Sequence, residues 1–206
     1  MTATWPAPVR AVVFDVGETL VNEDRYWRLA AEQIGVEPHV VWAALGQTIA
    51  RGEEHWRVYE YLGVQRPDRL PYYDRDDFYP DALPCLAELG RRGFYLGVAG
   101  NQSHELEEWI RGQSLPVELV ASSARWGVAK PSPAFFERIV AESGLEPAEI
   151  AYVGDRVDND VLPSRVAGFL SVHVRRGPWG YLQDPAPAHL RLDSLAELPD
   201  RLAAYA

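Results

Sequence analysis

The sequence predicts a doubly wound α/β fold, in which a parallel sheet is covered by helices on both faces. Three observations carry that expectation: short apolar runs of β-type residues recur along the chain, helix-like segments separate them, and no run alternates cleanly between polar and apolar residues. Strands buried on both faces read in this way, and covering both faces takes helices. At 206 residues, the chain suits one sizeable domain with a small insertion.

The apolar runs are residues 10–14 (RAVVF), 94–99 (FYLGVA), 117–121 (VELVA), 150–153 (IAYV) and 170–174 (LSVHV), with a weaker one at 190–192. Residues 80–92 (PDALPCLAELGRR) place Leu83, Leu86, Ala87 and Leu89 on one helical face, and Gly93 stops the helix. A second helix is expected over 103–111. A third covers 132–143 (SPAFFERIVAES), with Ser132 as N-cap, Pro133 at the first helical position and Phe135, Phe136, Ile139 and Val140 as the apolar stripe. A fourth, over 159–167, has Pro163 in its first turns or at a kink. The Gly- and Pro-rich stretch 175–187 (RRGPWGYLQDPAP) reads as a loop.

Residues 22–78 break the alternation. They read as helix over 23–34, 38–51 and 53–62, punctuated by Gly35, Gly52 and Gly63, followed by a Pro- and Asp-rich linker over 66–77. Such a block is too long for an ordinary crossover and reads as a separate lid. The expected division is an α/β core over 1–21 and 79–206, with a small all-helical cap over 22–78. Trp27, Trp42 and Trp56 lie in the block, where helical aromatics pack as its own core.

Composition narrows the function. Hydrophobic residues make up 47% of the chain and charged residues 24%, ordinary values for a packed protein. Twenty Lys and Arg stand against thirty Asp and Glu, for a net charge of −10, which argues against tracking nucleic-acid phosphates or anionic lipid. Cys85 is the one cysteine and can form no internal disulfide. No apolar run approaches the ~18 residues of a membrane helix, and residues 1–10 lack a basic-then-apolar signal pattern. The expectation is a cytoplasmic protein without nucleic-acid or membrane partners, with exposed aromatics of the lid as the suspects for a homodimer face.

Four strand ends carry polar residues that a fold alone does not require, at the edge where doubly wound sheets bind ligands. The first strand ends in Phe14-Asp15-Val16-Gly17-Glu18-Thr19-Leu20, where Asp15 either caps the turn or presents a carboxylate. The second ends in Ala99-Gly100-Asn101-Gln102-Ser103, where Asn101 and backbone N–H groups either cap the next helix or hold an anion. Lys130, the sole lysine of the chain, sits between Ala129 and Pro131 with Pro133 close behind. A compact ammonium retained where every other fixed cation is arginine suggests a point charge aimed at an anion. The fourth end, Gly154-Asp155-Arg156-Val157-Asp158-Asn159-Asp160, crowds three carboxylates into one turn. They repel unless something positive neutralises them, and an all-oxygen set suits a hard ion such as Mg²⁺.

In this order, each after its own strand, these four segments resemble the haloacid dehalogenase-like hydrolase superfamily, from residue 10 to about 198. The helical block falls where that family's first-position cap does. The resemblance implies a Rossmann-like core and a catalytic pair in Asp15 and Lys130. Asp15 is then a nucleophile that forms an aspartyl-phosphate, which water hydrolyses. Mg²⁺ would be held by Asp15, the carbonyl of Gly17 and Asp155, with Asp160 as a ligand through water or a support. Lys130, Asn101 and the backbone at Gly100 would bind the phosphoryl oxygens. The implied activity is a Mg²⁺-dependent phosphatase acting on a small phosphorylated metabolite.

Two residues depart from the family pattern. Its phosphatases carry a second Asp two positions after the nucleophile as general acid and base, and here that position is Gly17. General acid–base help is worth roughly 10²–10⁴-fold. Glu18, a lid carboxylate near Glu23 or Asp24, or the leaving group itself could replace it. The other departure is Gly100, where the family has Ser or Thr. These losses leave two alternatives open: a low-turnover binding or regulatory protein, and a metal-independent 2-haloacid dehalogenase, since halide departure needs no protonation.

Overall fold

A computed structural model describes residues 5–67 and 72–205. Its framework is a six-stranded sheet in the order β3-β2-β1-β4-β5-β6. The strands are β1 (Ala11–Phe14), β2 (Tyr95–Gly100), β3 (Leu119–Ser122), β4 (Ile150–Gly154), β5 (Leu170–Val174) and β6 (Leu190–Leu192), all paired in parallel. The chain order reverses direction beside β1, which lies between β2 and β4. Phe14 is level with Val98 on one side and Val153 on the other. Asp15 therefore leaves the sheet beside the ends of β2 and β4, at the switch point where such sheets bind ligands.

The helices are α1 (Asp24–Ile34), α2 (Pro38–Ala50), α3 (Val58–Tyr61), α4 (Ala82–Arg91), α5 (His104–Gly112), α6 (Ser123–Trp126), α7 (Pro133–Ser143), α8 (Leu162–Val166), α9 (Gly177–Leu182) and α10 (Leu198–Leu202). Alternate strand residues face opposite layers, as the period of two requires. Val12, Phe14, Leu96, Val98, Val153 and Val172 pack against Leu86 and Leu89 of α4, Ile110 of α5 and Leu198 and Leu202 of α10. Ala11, Val13, Ala99, Ile150 and Tyr152 pack on the other face against Phe135, Phe136 and Ile139 of α7. Full burial of both faces explains the unbroken apolar runs.

Helices α1–α3 stand between β1 and α4. Their apolar core is Trp27, Ala31, Val41, Ala44, Leu45, Ile49, Val58 and Tyr59, and it includes Trp179 from α9. Trp42 is half-buried against it, whereas Trp56 is 41% exposed. Residues 68–71 of the expected linker lie outside the described residues. No helix among the described residues is long and apolar enough to cross a membrane.

Three segments differ from the sequence expectation. The helix expected over 159–167 is two pieces, a π-type turn Val157–Val161 followed by α8, with Pro163 in the first turn of α8. The helix expected over 53–62 is a 3₁₀ turn, His55–Arg57, running into the four residues of α3. The stretch 175–187, expected as a loop, contains α9, with a proline in its first turn where the missing N–H costs nothing. Ser103 caps α5 by accepting from Leu106 N at 3.3 Å. Ser132 holds the N-cap position of α7 without a side-chain capping bond.

Candidate active site

Asp15, Asp155 and Asp160 are buried together, and each offers a carboxylate oxygen within 4.8 Å of the others. The fold accounts for their meeting. Asp15 N donates to Val153 O at 2.9 Å, which ties the end of β1 to β4, and Asp155 follows Gly154 directly. The π-type turn then brings Asp160 back over the strand end. A Cβ on Gly154 would overlap the Asp160 carboxyl group, so the strand closes on a residue with no side chain. One Asp160 oxygen accepts from Arg156 N at 2.9 Å.

Lys130 reaches this cluster from the loop before α7. Its Nζ lies 2.8 Å from Asp15 Oδ1 and 2.6 Å from Asp160 Oδ1, with the Tyr152 ring centroid at 5.4 Å. The side chain is 2% exposed. Burial opposes its charge, but the Asp15 and Asp160 carboxylates outweigh burial and hold the ammonium well above the usual lysine range. Burial pushes Asp155 up, with the Asp160 and Asp15 charges adding to it. Burial also raises Asp160, to about 6, although Lys130 pulls the other way. Crowded carboxylates bind a cation, whether proton or metal, to relieve their repulsion.

The remaining expected site residues are placed as follows. Asn101 spends its side chain on Lys130, with Nδ2 donating to Lys130 O at 2.9 Å and Oδ1 accepting from Lys130 N at 2.8 Å. It clamps the lysine loop to the end of β2, a positioning task that spacing alone does not reveal. A Cβ on Gly100 would overlap Asp15 Oδ1, so glycine there makes room for the nucleophile candidate. Asp158 turns from the acid cluster to a two-pronged pair with Arg156, at 3.1 and 2.8 Å. That corrects the expectation of three carboxylates from this turn facing one ion.

The cluster floors a cavity of about 590 Å³ between the sheet edge and the helical block. Tyr26, Trp27, Tyr73, Trp109 and Trp179 contribute aromatic walls, and Arg66, Arg156 and His55 contribute polar ones. Four cations of the helical block are engaged elsewhere: Arg25 with Asp77, Arg28 with Asp24, Arg51 with Tyr61, and Arg57 with Glu60. His55 does line the cavity. Arg66 and Arg156 line it too, Arg66 from outside the motifs and Arg156 from within the fourth segment, where the neighbouring carboxylates carry the sequence signal.

Two more carboxylates border the cavity. Glu18, at a left-handed φ of 50°, accepts from the Tyr79 hydroxyl and from Glu23 N, and burial raises it above the usual carboxylate range. Glu23 accepts from Trp27 Nε1 at 3.2 Å and from the Tyr73 hydroxyl. Burial, with the Glu18 charge adding to it, pushes Glu23 up to about 7, against the pull of those two donors.

The carboxyl end of the sheet thus gathers a carboxylate cluster, a buried ammonium and a roomy cavity, the equipment of a hydrolase built on nucleophilic displacement. A family model for haloacid dehalogenase-like hydrolases matches residues 9–168, and the chain belongs to that family. The glyceraldehyde 3-phosphate phosphatase of Methanopyrus kandleri is 38% identical over 208 residues, covering 87% of this chain and 88% of that protein. The enzyme of the same name from Methanocaldococcus jannaschii is 34% identical over 125 residues, covering 59% of this chain and 55% of its own, so the match spans about half that relative's length. Among solved structures, a HAD phosphatase from Thermococcus onnurineus superposes with a TM-score of 0.64 at 20% identity, covering 95% of this chain and 99% of that one. That last likeness is one of fold.

Proposed function

We propose that the protein is a Mg²⁺-dependent phosphatase that hydrolyses a small phosphomonoester through an aspartyl-phosphate on Asp15. The observation that carries this reading is the convergence of Asp15, Asp155 and Asp160 on one buried point with Lys130 between two of them. The phosphatase names of the two relatives support it. The buried acid cluster favours a metal-dependent reaction over a metal-independent dehalogenation.

The residues present fit a hard dication. The donor set is oxygen only, buried, and negatively charged beyond what one lysine neutralises. Asp15, Asp155 and the Gly17 carbonyl would hold Mg²⁺. Asp160 acts as a support, because Lys130 and the Arg156 N–H already engage its oxygens. The bound ion would shield the charge that keeps an anionic carboxylate from an anionic phosphate. Lys130 faces Asp15 and the incoming phosphoryl oxygens, and Asn101 keeps its backbone in place. We assign residues 22–78 as a cap over the core formed by 1–21 and 79–206, with Arg66 and Arg156 offering positive charge to the substrate.

Hydrolysis of p-nitrophenyl phosphate tests the reading. Turnover is expected with Mg²⁺ and lost with EDTA or in Asp15→Asn. Absence of Mg²⁺-dependent turnover, or halide release from 2-haloacids without metal, overturns it.

A further inference from the structure

We propose that Glu23 is the general acid and base of this site, supplying from the N-cap position of α1 the carboxylate that position 17 lacks. The proposal rests on the phosphatase reading and adds the residue that moves the protons. Its foundation is spatial. A Cβ built on Gly17 would overlap Glu23 Oε1 and lie 3.0 Å from Glu23 Cδ. The Glu23 carboxyl group therefore occupies the space that an aspartate side chain at position 17 would fill. Gly17 and Glu23 are complementary: one omits the side chain whose place the other takes.

Glu23 is also held there. Its two oxygens accept from different donors, Trp27 Nε1 at 3.2 Å and the Tyr73 hydroxyl, which fixes the plane of the carboxyl group at the cavity wall. A catalytic acid needs such orientation before it needs any particular strength. The two other candidates are directed elsewhere. The Glu18 side chain packs where a Cβ on Gly177 would overlap it, and its oxygens are taken by Tyr79 and by the Glu23 N–H. Asp24 is exposed and paired with Arg28.

The proton path balances over two half-reactions. In the first, an Asp15 oxygen bonds to phosphorus as the bond from phosphorus to the ester oxygen breaks. The departing oxygen takes the proton of the Glu23 carboxylic acid and leaves as the alcohol. In the second, the Glu23 carboxylate takes a proton from water as the water oxygen bonds to phosphorus. The bond between phosphorus and Asp15 breaks, inorganic phosphate leaves, and Glu23 is again protonated.

The test compares wild type, Glu23→Gln and the double variant Gly17→Asp/Glu23→Ala on p-nitrophenyl phosphate and on glycerol phosphate with Mg²⁺, with thermal melting measured for each. The ratio kcat/KM reports the first half-reaction. In Glu23→Gln it is expected to fall about 10²–10⁴-fold for glycerol phosphate and to change little for p-nitrophenyl phosphate, whose leaving group needs no proton. With the aryl ester, p-nitrophenol should then appear in a burst of one per site, because the second half-reaction lacks its base. The double variant should recover activity on the alkyl ester. Equal losses on both esters without a burst, or no loss on glycerol phosphate, overturn the assignment of Glu23. A wild type inactive on both esters instead removes the phosphatase reading and this proposal together.

Discussion

Asp160 lies across the end of β4 in the space that a side chain at Gly154 would need. Adding a methyl group there forces the Asp160 carboxyl group away, and Lys130 loses one of its two anionic partners. Gly154→Ala is therefore expected to lower kcat about 10²-fold, because moving the Asp160 support releases Lys130 from the geometry proposed for it. The overpacking should cost only about 1–3 kcal/mol of stability; kinetics and thermal melting measured on the same preparation check the separation. At this scale the sequence shows Asp15, Lys130, Asp155 and Asp160 clearly, because a charged residue at the tip of a buried strand contradicts its surroundings. It does not show what Asn101 binds, that Asp158 pairs with Arg156, or which carboxylate faces Gly17. Those facts depend on side-chain direction in tight turns, where one residue of offset redirects a side chain entirely.

The elements are joined at a second polar centre away from the acid cluster. Asp81, at the start of α4, accepts from Ser194 Oγ at 2.5 Å, from Leu195 N at 2.9 Å and from Arg176. Arg176 in turn donates to Thr19 O at 2.7 Å and lies over the Tyr79 ring. One ion pair thereby connects α4, the segment after β5, the segment after β6 and the turn after β1. Burial pushes Asp81 up, but the Ser194 and Arg176 hydrogen bonds outweigh it and hold the carboxyl group below the usual range. A depressed folded value contributes stability that is fully present above the unfolded pKa, about 3.9, and is lost as the pH falls through the folded value. Asp81→Asn should flatten that part of the acid limb, as read from unfolding midpoints between pH 5 and pH 2. The main elements were legible in the sequence for a related reason: burial on both faces writes itself as an unbroken apolar run. Helix α9 was not, since its Gly, Pro and aromatic residues read as punctuation, and it is held in place by packing Trp179 into the helical block.

Taken whole, the molecule gathers three buried carboxylates around one buried ammonium at the carboxyl end of its sheet, an arrangement that favours uptake of a further cation. A ligand that binds the folded state alone stabilises it by mass action, about 2.7 kcal/mol at a concentration one hundred times Kd. Mg²⁺ is accordingly expected to raise the melting temperature of the wild type, with EDTA reversing the rise and Asp155→Asn abolishing it. Calorimetric scans with and without the ion check this, independently of any substrate.

The indole of Trp179 sits among Trp27, Leu45 and Val58 although it belongs to the segment beyond β5, and the Arg156 guanidinium stacks over it at 4.7 Å. Helices α1–α3 are thus pinned by a peg from the opposite side of the cleft. Swinging them outward means unplugging that peg, at a cost on the order of 4 kcal/mol from the apolar area exposed. Under the proposed activity, substrate entry and product exit are then expected to use small adjustments at the mouth, with outward swings of α1–α3 populated only rarely.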